Sequence, residues 1–340
     1  MPEHVTILGD GAMATVCSIL LTQGGCGVTI WGAFEESIDR LIQNRENQRL
    51  LPGVRVPAGV HLTANDADCF TNPPPTLILS AVPTQYMRSV WTRLAPHIPA
   101  GVPIVSVAKG IEVGTLLRPS QIIADCLGQS SADHELAVLS GPNIAAEIAR
   151  YLPTTAVAAA ADPALAKHVQ QIFSTQWFRV YTNEDVIGVE LAGAAKNIIA
   201  IAAGVLDGLA AGNNAKAALV TRGLVEITRL GIAMGARPET FVGMAGLGDL
   251  ITTCVSPEGR NRTVGEQIGK GRQLQEILGG MESVAEGVAT ARSVMELARR
   301  HNVEMPITQA VHAVLFEGKD VLHALTDLMT RDAKPEVAAV

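Results

Sequence analysis

The sequence predicts an α/β protein, a doubly wound and mostly parallel Rossmann-type sheet followed by an all-helical domain. Three observations predict it. A short apolar run from Val5 to Leu8 enters a glycine turn, Gly9-Asp10-Gly11-Ala12-Met13-Ala14, and leaves it as an apolar helical pattern from Thr15 to Leu21. Short buried-strand runs then recur up to Tyr181, and most are separated by stretches of helical period, as in parallel strands joined by crossover helices. From about Val186 no strand pattern returns, and long Ala-, Ile- and Gly-rich helical runs take over. The division is expected at residues 1–188 for the sheet domain and 189–330 for the helical domain.

Taken in order, the first turn has the Gly-x-Gly-x-x-Ala form of a dinucleotide fingerprint. Gly9 and Gly11 allow a sharp turn and a close approach of backbone to a pyrophosphate. Ala14 is small enough for the next helix to pack on the sheet, and that helix start offers free N–H groups and a positive dipole end. Gly9, Gly11, Ala12, Met13 and Ala14 are therefore cofactor candidates. The second strand is Val28 to Trp31, and Trp31 either flanks an adenine or packs the sheet edge. Ser37–Gln48 reads as a polar helix and Leu51–Ala58 as a Pro-containing loop. Strands follow at Val60–Thr63, Thr76–Val82, Pro103–Val107, Leu136–Ser140, Thr154–Ala159 and Trp177–Tyr181. The later helices are Val189–Leu206, Ala215–Met234, Val284–His301 and Ile307–Gly318.

Composition narrows the function. With 340 residues, 48 % hydrophobic and only 4 % aromatic, the chain builds an aliphatic core. A net charge of −7 argues against nucleic acid or an anionic membrane as the main partner, but not against a small anion in a local basic pocket. Five cysteines without a CxxC pair suggest neither a disulfide framework nor a zinc site, and no metal is expected. No signal peptide or spanning segment is read, so the expected location is the cytoplasm.

Ligands of such sheets bind at the carboxyl ends of strands. Lys109 and Gly141-Pro142-Asn143 fall at two of those ends. Lys109 is either a site cation or an exposed loop cation, and Gly141-Pro142 either lines the site or simply turns the chain. Lys196 sits inside Leu191-Ala-Gly-Ala-Ala-Lys-Asn-Ile-Ile-Ala-Ile-Ala202. So apolar a helix must either let it snorkel out or hold it at a polar site, where burial would lower its pKa and suit it to proton transfer. Asp249 lies in a glycine-lined turn, Met244 to Leu250. Gly259-Arg260-Asn261-Arg262 opens a helical stretch; it is either a phosphate site or a solvated basic cap.

In this order the blocks resemble bacterial NAD(P)-dependent glycerol-3-phosphate dehydrogenases over nearly the whole chain. They run from Gly9-x-Gly11 through Lys109-Gly110, Leu139-Ser-Gly-Pro142, Lys196-Asn197, Asn214-Ala-Lys-Ala217 and Thr221-Arg-Gly-Leu224. They continue through Ala245-Gly-Leu-Gly-Asp249, Arg260-Asn-Arg262 and Glu286-Gly287 to Glu304-Met-Pro-Ile307. The resemblance implies interconversion of sn-glycerol 3-phosphate and dihydroxyacetone phosphate with NAD(P), which supplies the backbone of phospholipids. It implies Lys196 as general acid/base and Lys109 orienting substrate beside the nicotinamide. Asp249 and Asn143 would lie in the substrate pocket, and Gly141 with Ala145 at the substrate–cofactor junction. Arg260 and Asn261 would hold the phosphate, Arg260 also touching cofactor, and Val284 with Glu286 would meet the cofactor from the helical domain. A homodimer is expected on the same ground.

Four positions depart from the family pattern: Met13 for an aromatic residue, Asn143 for Ser or Thr, Gly259 for Ser, and Ala33 for a basic residue or histidine. Because Ala33 brings no cation to the end of the second strand and Glu35-Glu36 follow it, the sequence points to NAD over NADP, or to use of both. The alternatives are a β-hydroxyacid or ketopantoate-type reductase of the same architecture, which would need a carboxylate site, and a dinucleotide sensor without catalysis, which would have lost Lys196 or Asp249.

Overall fold

A computed structural model describes residues 3–336 apart from residues 283 and 334. Eight strands form one sheet: β1 (His4–Leu8), β2 (Gly27–Trp31), β3 (His61–Thr63), β4 (Leu77–Ser80), β5 (Ile104–Ser106), β6 (Leu136–Ser140), β7 (Thr154–Ala160) and β8 (Phe178–Asn183). Their order is β3-β2-β1-β4-β5-β6-β7-β8. All pairings are parallel except β6–β7, which run antiparallel with Ala137 opposite Ala160. The chain winds outward from β1 to β3, then crosses back to β4 on the other side of β1. That reversal opens a crevice at the carboxyl ends of β1 and β4, where doubly wound sheets take their ligands.

Both faces of the central strands are covered, so β1, β2, β4, β5 and β6 are buried along nearly their whole length, whereas the edge strand β8 alternates buried and exposed residues. Val5, Ile7, Val28, Ile30, Leu77, Leu79 and Val105 enter one core. Their neighbours Leu8, Trp31, Ile78 and Ile104 point the other way into a second core with Trp91. Burying each such side chain stabilises the fold by about 1.5–3 kcal/mol. The helix expected at Ser37–Gln48 runs instead over Glu35–Asn44. It stops because Arg45 takes a left-handed conformation, φ 51°, after which Asn47 donates to the Asp10 carbonyl at 2.8 Å. Helices at Pro119–Leu127 and Val321–Met329 were not marked by the sequence pattern.

The 23-residue helix Val186–Gly208 is the axis of the helical part. Asp185 caps it, accepting from Gly188 N–H at 2.9 Å. It is long and apolar enough to cross a membrane by length and composition, yet 83 % of its most apolar window is buried inside the protein. Its buried Glu190 accepts from the backbone and side chain of Ser120, each at 2.7 Å, and pairs with Arg118. Against it lies the helix Arg260–Gly269, along a seam of glycines. A Cβ on Gly204 would stand 1.9 Å from the Arg262 carbonyl, and one on Gly265 1.9 Å from the Ile201 carbonyl. No larger residue permits that approach.

Candidate active site

The first turn is shaped for a pyrophosphate. Gly9 has φ +112°, and a Cβ there would sit 3.0 Å from the Ala81 carbonyl oxygen, while its N–H donates to the Trp31 carbonyl at 2.8 Å. Gly11 precedes the helix Ala12–Gln23, whose start has no side-chain cap. A Cβ on Gly11 would meet nothing within 4 Å, so open space lies before those uncapped N–H groups. Ala14 is fully buried, and Ala12 and Met13 are partly so. These features fit the phosphates of a dinucleotide.

Beside this crevice three charged side chains converge. Lys109 follows β5, and its Nζ donates to the Gly141 carbonyl at 2.9 Å, Asn143 Oδ1 at 2.6 Å and Asp249 Oδ2 at 2.8 Å. Lys196 Nζ donates to the other Asp249 oxygen, Oδ1, and to Thr253 Oγ1 at 2.6 Å. Local backbone geometry permits this crowding. Gly141 has φ +131°, and a Cβ on Gly193 would crowd Ser140 Oγ at 3.1 Å beside the Lys109 stem. Asp249 does not sit in a simple glycine turn: a π-helical turn, Met244–Gly248, delivers it as the first residue of the helix Asp249–Val255. Lys196 does not snorkel; its side chain is 7 % exposed. Burial pulls its ammonium down to about 7, against the pull of Asp249 and with the push of Lys109. Sequence reasoning missed Thr253, although its place four residues after Asp249 puts it on the same helix face.

Four buried side-chain polar atoms have no hydrogen-bond partner among the described residues: Thr84 Oγ1, Ser140 Oγ, Asn143 Nδ2 and Thr290 Oγ1. All four border Lys109-Gly110. Asn143 holds Lys109, Ser140 lies by Gly193 next to the Lys109 stem, and a Cβ on Gly110 would come within 2.7 Å of Thr84 Oγ1 and 3.3 Å of Thr290 Oγ1. Buried polar atoms are rarely orphaned, and a cluster of orphans marks a place for a polar ligand.

Glu286 joins the two halves of the molecule, and Asn261 braces the residue next to it. Glu286 accepts from Thr84 N–H at 2.9 Å, just beyond β4, and burial pushes its carboxyl up. Asn261 Oδ1 accepts from Gly287 N–H at 2.9 Å. Val284 and Ala145 are partly buried. Arg260 is exposed and makes no hydrogen bond or ion pair among the described residues, so its guanidinium is free for an anion. Arg262 is not; its Nε is bound to Asp207 at 2.6 Å, which Lys216 also holds. Of the basic cluster at that helix start, only Arg260 remains uncommitted.

Trp31 requires a correction. It has no exposed surface, its indole N–H donates to Asp66 Oδ1 at 3.1 Å, and the Arg93 guanidinium lies over its ring at 5.2 Å. Its side chain packs into the core with Trp91 and offers no face to an adenine. Among the described residues no group of three or more His, Cys, Asp or Glu side chains could hold a metal ion.

Comparison with known proteins decides the family. The model of the N-terminus of NAD-dependent glycerol-3-phosphate dehydrogenase matches residues 4–166, and that of its C-terminus matches residues 185–326. The chain belongs to this family. It is 49 % identical over 336 residues to the NAD(P)+ glycerol-3-phosphate dehydrogenase 2 of Salinibacter ruber, covering 99 % of this chain and 97 % of that one. Among solved structures it is similar to the glycerol-3-phosphate dehydrogenase of Coxiella burnetii, with a TM-score of 0.92 and 37 % identity over 97 % of this chain and 99 % of that one. A ketopantoate reductase of Ralstonia eutropha, 16 % identical with a TM-score of 0.58, shares the fold alone. The glycerol-3-phosphate dehydrogenase fold thus accounts for both the sheet and the helical part, and a ketopantoate-type reductase is not favoured.

Proposed function

We propose that this chain interconverts sn-glycerol 3-phosphate and dihydroxyacetone phosphate, moving a hydride between carbon 2 and a nicotinamide. The observation that carries the reading is the buried Lys196–Asp249–Lys109 cluster, ringed by orphaned polar atoms beside the dinucleotide crevice. When bound, NAD(P) supplies the hydride donor or acceptor. In reduction, the Lys196 ammonium gives a proton to the carbon-2 oxygen as the hydride reaches carbon 2; in oxidation, the neutral amine takes that proton back. A lysine pulled down to about 7 does both near neutral pH. Asp249 and Thr253 fix the Lys196 Nζ, and Lys109 orients the substrate together with Gly141 and Asn143.

Arg260 and Asn261 hold the substrate phosphate, Arg260 also reaching the cofactor. Gly9, Gly11, Ala12, Met13 and Ala14 cradle the pyrophosphate, and Ala145, Val284 and Glu286 complete the cofactor side. The division between the dinucleotide-binding and substrate-binding domains lies at residues 188/189, within the first turn of the Lys196 helix. The enzyme prefers NAD, because Ala33 brings no cation to the end of β2. It works in the cytoplasm as a homodimer and feeds glycerophospholipid synthesis. The test is loss of NADH absorbance on adding dihydroxyacetone phosphate, with ketopantoate as control. Oxidation of NADH by ketopantoate and not by dihydroxyacetone phosphate would overturn the reading.

A further inference from the structure

A groove at the carboxyl ends of β2 and β3 contains one cation, and that cation is already engaged. Its lining includes Ala33, Glu35, Asp39, Thr63, Asn65 and Arg93, and among the described residues Arg93 is the only positive one in it. Arg93 comes from the helix Thr84–Leu94, not from β2. Its Nη1 donates to the Ala33 carbonyl at 3.2 Å, so the guanidinium stands beside the turn that follows β2. Its Nε and Nη2 grip the Asp66 carboxylate in a bidentate pair, both at 2.7 Å. Asp66 is anchored in turn by the Trp31 indole N–H. The groove's other charges, Glu35 and Asp39, are negative.

We propose that Asp66 is a specificity-determining residue, which holds Arg93 in a closed ion pair so that the groove takes the adenosine of NAD and disfavours the 2′-phosphate of NADP. The inference rests on the dinucleotide reading of the Gly9–Ala14 turn, since the ribose hydroxyls of such a cofactor lie at the end of the second strand. A 2′-phosphate carries nearly two negative charges and needs a charge-assisted donor. Here Nε and Nη2 of the only cation are spent on Asp66, Nη1 on a carbonyl, and two further carboxylates face the same space. Neither Asp66 nor Arg93 belongs to β2 or its following turn, so a search for a cation after the second strand passes over both.

Asp66→Asn tests this, because it removes the charge and keeps an oxygen for the Trp31 indole. Calorimetry with adenosine 2′,5′-bisphosphate and with AMP reads the groove without turnover. The affinity for the bisphosphate relative to AMP should rise about tenfold in Asp66→Asn, the gain of one charge-assisted bond. It should fall back in Asp66→Asn/Arg93→Ala, and the ratio of kcat/KM for NADPH over NADH should follow the same course. Asp66→Ser, with the melting temperature of each variant, guards against misfolding. An unchanged ratio in both Asp66 variants, or a gain that survives removal of Arg93, would overturn the inference while the dinucleotide reading stands. Binding of neither nucleotide, nor of NADH, to the unaltered protein would sink both.

Discussion

Asp249→Asn removes one charge from a buried group of three. Its carboxylate is 2 % exposed and is shared by the ammonium groups of Lys109 and Lys196. Burial already holds Lys196 at about 7, and Asp249 is what keeps it from falling further. An opposite charge in direct contact shifts a pKa by roughly 1–3 units, each about 1.4 kcal/mol. Without it, the Lys196 ammonium should titrate below 7. Reduction needs the ammonium, so its rate falls as pH rises past the Lys196 pKa. At pH 7.5 the protonated fraction should drop about tenfold to several-hundredfold. The assay is kcat/KM for dihydroxyacetone phosphate reduction from pH 5 to 9, with the melting temperature as a check on folding. The alkaline fall should move to lower pH in the variant. A midpoint that stayed near 7, or moved up, would refute the assignment of that limb to Lys196.

Lys196→Ala should lower turnover by ~10²–10⁴-fold with cofactor binding kept; a variant retaining a tenth of the original rate would exclude the acid/base role. Arg260→Ala should raise KM for dihydroxyacetone phosphate by the loss of roughly 1.5–3 kcal/mol and leave the melting temperature in place, because the side chain is exposed and makes no bond among the described residues; unchanged KM and kcat would put the phosphate elsewhere. Glu226 is buried and accepts from Thr308 N–H at 3.2 Å and from Ile307 N–H at the start of the helix Pro306–Phe316, and burial pushes its carboxyl up to about 7. Since its folded pKa lies above the ordinary 4.5, its contribution to stability is present below pH 4.5 and is lost as pH rises through about 7. Melting temperatures from pH 4 to 8 should therefore decline less in Glu226→Gln than in the parent. Gly204→Ala should destabilise by about 1–3 kcal/mol or more, because its Cβ would strike the Arg262 carbonyl; a neutral melting temperature would mean the two helices separate freely.

The strands were legible because buried parallel strands carry an unbroken apolar run bounded by turn residues, and Thr76–Val82 or Leu136–Ser140 can hardly be read otherwise. Lys196 stood out for the opposite reason, as one cation in an apolar helix. What the sequence could not show were pairings across long separations. Nothing local says that Asp249 would bridge two lysines, 140 and 53 residues away, or that Arg93 would lie over Trp31. Trp31 itself was ambiguous because an aromatic residue at the end of a strand suits either a core or a ligand, and only the covering helix decides between them. The helix Pro119–Leu127 escaped notice because its flanking loops dominate the local pattern, and Arg262 looked free because its partner Asp207 lies on another helix.

The glycine seam between the Lys196 helix and the Arg260 helix has a consequence for substrate length. One helix carries the proposed proton donor, the other the proposed phosphate anchor, and their backbones nearly touch at Gly204 and Gly265. Helices in such contact cannot slide or part without a clash, so the span between the two groups behaves as a caliper with a fixed gap. A gap set to the three-carbon phosphate proposed here would not open for a longer one. A ketone with one more carbon between carbonyl and phosphate would have to buckle or leave one jaw empty. Selectivity for chain length would then reside in two residues, Gly204 and Gly265, that have no side chain and touch no substrate.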